Sequence, residues 1–134
     1  MTDSKRPAGE AATVKFSGRE GGPTAAPDNV RATLRVVNGK EPGRVYELRR
    51  IVSIIGRADN AAVSLDDDGV SREHAAISYH EDEREFRVTD MHSANGTLLN
   101  GSRVSEYALR AGDKLLVGET LLVFGIEHVS VAEG

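Results

Sequence analysis

Val70-Ser71-Arg72-Glu73-His74-Ala75-Ala76-Ile77 is the stretch on which the reading of this chain turns. It sets a hydroxyl, a guanidinium and an imidazole side by side, then runs straight into an apolar segment with strand character. Two further polar islands, Gly56-Arg57 and Ser93-Ala94-Asn95-Gly96-Thr97, also lie between β-like runs. In a small sandwich such junctions are loops, and all three can gather at one end. Arg57, Ser71, Arg72 and Asn95 would then form one cluster of donors of the kind a phosphate ester needs.

Working outward, the chain from Arg31 onward is a series of short runs with turn signals between them. Arg31 to Val37 alternates in period two, Asn38-Gly39 to Pro42-Gly43 is a turn, and Arg44 to Leu48 is the return strand. Further strands are expected at Ile51–Ile55, Ala62–Leu65, His74–His80, Glu85–Asp90 and Thr97–Leu99, then at Lys114–Val117 and Thr120–His128. Arg103-Val104 and Tyr107-Ala108-Leu109 read as strand fragments. Asn95-Gly96 and Asn100-Gly101 are tight-turn pairs, and no segment has convincing helical periodicity. The pattern predicts an all-β sandwich or barrel.

Residues 1–29 are rich in Gly, Pro, Ala, Ser and Thr and hold only two large apolar side chains besides Met1, Val14 and Phe16. Such a segment cannot bury enough surface to offset its ordering entropy, so a disordered tail is expected there. The expected domain is 30–129, with a short second tail at 130–134. The tail carries four basic and four acidic residues, which leaves 13 basic against 17 acidic in the remainder. An acidic globular part speaks against nucleic acid as a partner. There is no cysteine, hence no disulfide and no thiolate metal site. No run is long enough to span a bilayer as a helix, and the first residues lack the apolar core of a signal peptide. The expectation is a soluble, cytoplasmic monomer without a membrane partner.

Catalysis and metal binding find little support. Ser71 and His74 could imitate part of a hydrolase triad, but Gly69-Val70-Ser71-Arg72-Glu73 lacks the second glycine of a nucleophile elbow. His74, His80, His92 and His128 show no zinc spacing, and Asp66-Asp67-Asp68 does not follow a calcium-loop pattern. No metal, no other cofactor and no enzyme activity are expected. Phosphate binding fits better. Arg57 follows a glycine at a strand end, where a guanidinium can fork onto two oxygens. Spacing alone leaves the plainer alternative open, with Arg57 and Arg72 as surface charges and Asn95 as a turn residue.

Taken together, Gly56-Arg57, Ser71-Arg72-Glu73-His74 and Ser93-Ala94-Asn95-Gly96-Thr97-Leu98-Leu99-Asn100-Gly101 resemble the signature of the forkhead-associated (FHA) domain, over roughly residues 31 to 128. The small single-domain type is the nearest in kind. The resemblance implies a sandwich of about eleven strands with binding loops at one end, no catalysis, and recognition of phosphothreonine in a partner of a Ser/Thr kinase pathway. It implies that Arg57 and Ser71 meet the phosphate, that Arg72 assists, and that Asn95 grips the target's main chain. Gly56, His74, Gly96 and Thr97 would shape the loops. Ala94 departs from members with a hydroxyl there and removes one polar contact. Asp66-Asp67-Asp68 suggests a dislike of strongly acidic targets. A phospho-independent scaffold of the same fold is the alternative. Thr13, with Phe16 three places on, is the candidate phosphosite by which the tail could occupy the domain's own pocket.

Overall fold

A computed structural model of the chain describes residues 30–128, with the side chain of His128 excepted. The expected tails and Thr13 lie outside the described residues. Eleven strands run in order: β1 (Val30–Val36), β2 (Val45–Glu47), β3 (Val52–Gly56), β4 (Val63–Ser64), β5 (Ala75–His80), β6 (Glu85–Asp90), β7 (Thr97–Leu99), β8 (Ser102–Val104), β9 (Glu106–Ala108), β10 (Lys114–Val117) and β11 (Thr120–His128). They form two sheets, one ordered β2-β1-β11-β10-β7-β8 and the other β4-β3-β5-β6-β9. Of the sandwich or barrel that the strand pattern predicts, this is the sandwich that the family resemblance implies. The two runs that read as fragments are β8 and β9, three-residue strands at the edge of each sheet.

Alternation places the core. Leu34 and Val36 of β1, Leu115 and Val117 of β10, and Leu122 and Phe124 of β11 turn inward from one sheet, while Ile55, Ile77, Phe86 and Val88 turn inward from the other. Phe86 and Phe124 join the sheets, with ring centroids 5.7 Å apart and planes tilted by 57°. Tyr79 continues that contact on the Phe86 side at 4.8 Å. With both faces sealed by branched and aromatic side chains, the loops can vary without loss of the core.

Two glycines position the loops. At the end of β3 a Cβ on Gly56 would stand 1.9 Å from the carbonyl oxygen of Arg72, so only glycine lets the two backbones pass this closely. That approach brings Arg57 beside the β4–β5 loop, where its N–H donates to the Ser71 carbonyl at 3.0 Å. Gly96 has φ +86°, and a Cβ there would meet the Arg103 guanidinium at 2.8 Å. Asn100 and Gly101, at φ 51° and 89°, form the two-residue turn between β7 and β8 that the Asn-Gly pair predicts.

Candidate functional site

Three loops converge at one end of the five-stranded sheet: β3–β4 with Arg57, β4–β5 with Ser71 and Arg72, and β6–β7 with Asn95. The stitching bonds are mostly side chain to backbone. Arg57 Nε donates to the Val70 carbonyl at 3.0 Å, and Asn95 Nδ2 donates to the Gly69 carbonyl at 2.9 Å. The Ala94 N–H donates to Ser71 Oγ at 3.0 Å. Ala94 thus takes part in the loop contacts through its backbone alone.

His74 ties the loops from beneath and is fully buried. Its Nδ1 accepts the Ser71 N–H at 3.0 Å, while Nε2 stands 2.8 Å from the Gly96 carbonyl. The first bond leaves Nδ1 bare, so Nε2 carries the hydrogen and donates to Gly96. Both ring nitrogens serve the backbone, and Ser71 Oγ faces Ala94 instead of the imidazole. Ser71 and His74 are thus not a nucleophile and its base. Among the described residues no group of three or more His, Asp or Glu side chains could hold a metal ion.

Two carboxylates brace the loops: Asp90, to which the sequence reading gave no role, and Asp67, which it named only within the acidic triplet. Asp90, at the end of β6, accepts Ser93 N–H at 3.1 Å, the Ser93 hydroxyl, and the Thr97 hydroxyl at 2.8 Å. Ser93 Oγ in turn accepts the Gly96 N–H at 2.8 Å, which fixes the turn carrying Asn95. Asp67 accepts Gly69 N–H at 2.8 Å, Glu119 N–H at 2.8 Å and the Thr120 hydroxyl at 2.7 Å, joining β4–β5 to the β10–β11 turn. Of the three neighbouring aspartates, Asp67 is consumed by structure and Asp66 is paired with Lys40 at 2.9 Å. Only Asp68 is left exposed without such a bond. The signal available in the sequence was the spacing of Asp90 from Ser93 and Thr97, which suits an aspartate-capped turn.

Burial works against ionised Asp90, but the hydrogen bonds from Ser93 and Thr97 outweigh it and hold the carboxyl below the ordinary aspartate value. Asp67 is lowered in the same way, its burial outweighed by Thr120, Glu119 and Gly69. A depressed folded-state pKa means that this stabilisation is present above the unfolded value and is lost as pH falls through the folded one. The β6–β7 loop should therefore loosen only below the ordinary aspartate pKa of 3.8. Asp90→Asn should cost about 1–3 kcal/mol at neutral pH, because an amide NH2 cannot accept the Ser93 N–H. It should also flatten the acid limb of a melting-temperature profile. An unchanged acid limb would show that Asp90 is not the brace.

These bonds leave a defined set of groups unspent at the surface. The two terminal nitrogens of Arg57, the Ser71 hydroxyl hydrogen, the Arg72 guanidinium, and Asn95 Oδ1 with its second N–H have no partner among the described residues. All four sequence-predicted positions are thus brought together on adjoining loops, with Gly56, His74, Gly96 and Thr97 in the scaffold behind them. A groove of about 490 Å³ adjoins the cluster on the Arg57 side; Tyr46, Ser64, Leu65, Asp59 and Asp66 also line it, while Ser71, Arg72 and Asn95 do not.

Comparison with known proteins agrees with this geometry. The family model described as "FHA domain" matches residues 53–118, a span that holds all three loops. FHA domain-containing protein FhaA of Mycobacterium tuberculosis is 37% identical over 91 residues, which is 68% of this chain but only 16% of FhaA. Glycogen accumulation regulator GarA of the same organism is 34% identical over 124 residues, covering 92% of this chain and 72% of GarA. A solved chain from a structural and functional analysis of phosphothreonine-dependent FHA domain interactions superposes with a TM-score of 0.67. It is 33% identical, and the match covers 74% of this chain and 99% of that one. The chain belongs to the FHA domain family.

Proposed function

We propose that this protein is a phosphothreonine-peptide binding module that acts as an adaptor downstream of a Ser/Thr protein kinase. The observation that carries the reading is the division of labour in the loops. His74, Asp67, Asp90 and Ser93 are spent on the scaffold, whereas Arg57, Ser71, Arg72 and Asn95 keep outward donors in one cluster. With Nε anchored on Val70, Arg57 presents its remaining edge as a fork for two phosphate oxygens. Ser71, its Oγ already accepting from Ala94, has its hydrogen free for a third oxygen, and Arg72 adds charge from the same loop. Asn95 Oδ1 accepts a main-chain N–H of the target. Ser71 Oγ accepts from Ala94 and His74 serves two backbone groups, an arrangement that supports binding as the role of the cluster.

Three or four charge-assisted bonds of about 1.5–3 kcal/mol each, less ordering costs, give affinities on the order of micromolar. Preference for phosphothreonine over phosphoserine comes from one buried methyl, about 0.8 kcal/mol. The test is titration with a phosphothreonine-peptide library beside its unphosphorylated counterpart, with turnover of a phosphoester followed in parallel. Equal binding of both libraries would leave a phospho-independent scaffold, and turnover would indicate an enzyme. Similarity to a glycogen accumulation regulator supports a partner in metabolism, phosphorylated by the kinase or being the kinase itself. Among the described residues no helix is long and apolar enough to cross a membrane; the cytoplasm as site of action belongs to the proposal.

The proposal extends to residues 1–29, in which phosphorylated Thr13 would occupy the domain's own pocket and exclude outside partners. Thr13 lies 17 residues before Val30, a root-mean-square span of about 21–25 Å for a flexible chain. Phosphorylating Thr13 should shift the NMR signals of the three loops at high dilution and weaken an external phosphopeptide at least about tenfold. Neither change should occur in Arg57→Ala. Loops that stay unperturbed, with external binding unchanged, would remove the switch.

A further inference from the structure

The outer face of the six-stranded sheet is not the polar surface that an exposed sheet usually carries. Register places Arg103, Leu98, Leu116 and Leu121 side by side across β8, β7, β10 and β11, and Val37 ends the row where its N–H meets the Leu121 carbonyl. Each leucine alternates with buried neighbours, so it points away from the core. All three are half-buried, and Val37 is 39% exposed. The next row reads Lys114, Val123, Arg35, Val45, the last 52% exposed. An apolar strip is thus bordered by Arg103, Lys114 and Arg35, none of which makes an ion pair among the described residues. The carboxylates further along this face, Glu47 and Glu127, are both engaged by Arg31. Glu119 stands at the end of the strip, in the β10–β11 turn. A continuous apolar strip of this kind marks a contact surface.

The strip begins at the loop cluster. Leu98 is three residues from Asn95, and the Arg103 guanidinium packs on Gly96 beside it. We infer that this face is a second contact for the phosphorylated partner, taking an acidic segment with leucine- or valine-like side chains that flanks the phosphothreonine. The inference rests on the phosphothreonine reading above. Charge selects the occupant. A second copy would set three cations against three cations. The chain's own residues 1–29 are electrically neutral, with four basic and four acidic side chains. An acidic partner segment alone complements the border. Three strand spacings cover about 14 Å, so about four to five extended residues cross the apolar row.

The experiment compares a short phosphothreonine peptide with the same peptide extended, on either side, by about eight alternating Glu and Leu residues, or by Lys and Leu. The acidic extension on one side should tighten binding roughly tenfold, and salt should erode the gain. The Lys-Leu extension should add nothing. The gain should vanish in Leu116→Ser and in the double variant Arg35→Glu/Lys114→Glu, while the short peptide binds both as it binds the wild type. Should Leu116→Ser fail to fold, the double variant decides, since both of its residues are exposed. No gain from either acidic extension, or a gain that survives in the double variant, overturns the inference. So does occupation of the face from within: methyl shifts at Leu98 and Leu116 on removing residues 1–29, or dimerisation abolished by the double variant. If the short peptide itself does not bind, the phosphothreonine reading fails and this inference falls with it; if it binds and the extension adds nothing, this inference alone fails.

Discussion

Arg57→Ala should weaken phosphothreonine-peptide binding at least about a hundredfold while the sandwich stays folded. Loss of a forked guanidinium removes two charge-assisted bonds, about 3–6 kcal/mol together, and each 1.4 kcal/mol is about a factor of ten. The fold should hardly respond, because the side chain is exposed and its single scaffold bond goes to the Val70 carbonyl at 3.0 Å. Backbone bonds from Arg57 N–H to Ser71 and from Leu65 N–H to Gly56 remain to hold the loop. Arg57→Lys should recover only part of the affinity, for two separate reasons. An ammonium cannot fork onto two oxygens, and it cannot keep one nitrogen on Val70 while presenting two others. Calorimetric titration beside a thermal melt separates the outcomes. A folded Arg57→Ala protein that retains affinity would remove the proposed pocket.

His74→Ala should act in the opposite sense, mainly on stability. The imidazole is fully buried and satisfies a donor on Ser71 and an acceptor on Gly96, the latter 22 positions from His74 on another loop. Its removal leaves both groups unpaired beside a cavity, at a cost of about 2–4 kcal/mol. At about 4–8 °C per kcal/mol for a domain of this size, the melting temperature should fall by about 8–32 °C. Peptide affinity, measured where the variant is still folded, should fall less than in Arg57→Ala, because the phosphate ligands remain. Unchanged stability with lost binding would make His74 a direct ligand and overturn its place in the scaffold.

The two faces of the site have different charge characters. On the Arg57 side the groove is of mixed charge, with Lys40 and Arg44 as well as Glu41, Asp59 and Asp66 in its lining, whereas the outer sheet beyond Asn95 offers Arg103, Lys114 and Arg35. The suggestion from sequence that the aspartate triplet repels acidic targets is narrowed by the structure. Asp67 points its oxygens at Gly69, Glu119 and Thr120, and Asp66 is paired with Lys40. A partner running from the loops onto the sheet meets cations.

Much of this was legible in the chain alone, because it depends on near neighbours. Short strand-like runs set between turn signals marked Glu85–Asp90, Thr97–Leu99, Lys114–Val117 and Thr120–His128 at the bounds the strands adopt. Asn100-Gly101 announced its hairpin turn, and the three polar islands announced the loops carrying Arg57, Ser71, Arg72 and Asn95. Strands β8 and β9 read only as fragments, because no turn pairs bracket them on both sides as Asn95-Gly96 and Asn100-Gly101 bracket Thr97–Leu99. What tertiary structure decided was which residues meet. Asp67 resembles Asp66 and Asp68 in sequence, yet it alone reaches Thr120, 53 positions away. Gly56 looks like any turn glycine until Arg72 passes against it. Leu116 and Leu121 sit in apolar runs whose inward and outward members cannot be told apart without the pairing register. Alternation is a local property of a strand, written residue by residue; partners are set by the order β2-β1-β11-β10-β7-β8, which the chain acquires only when distant strands pair over a shared core.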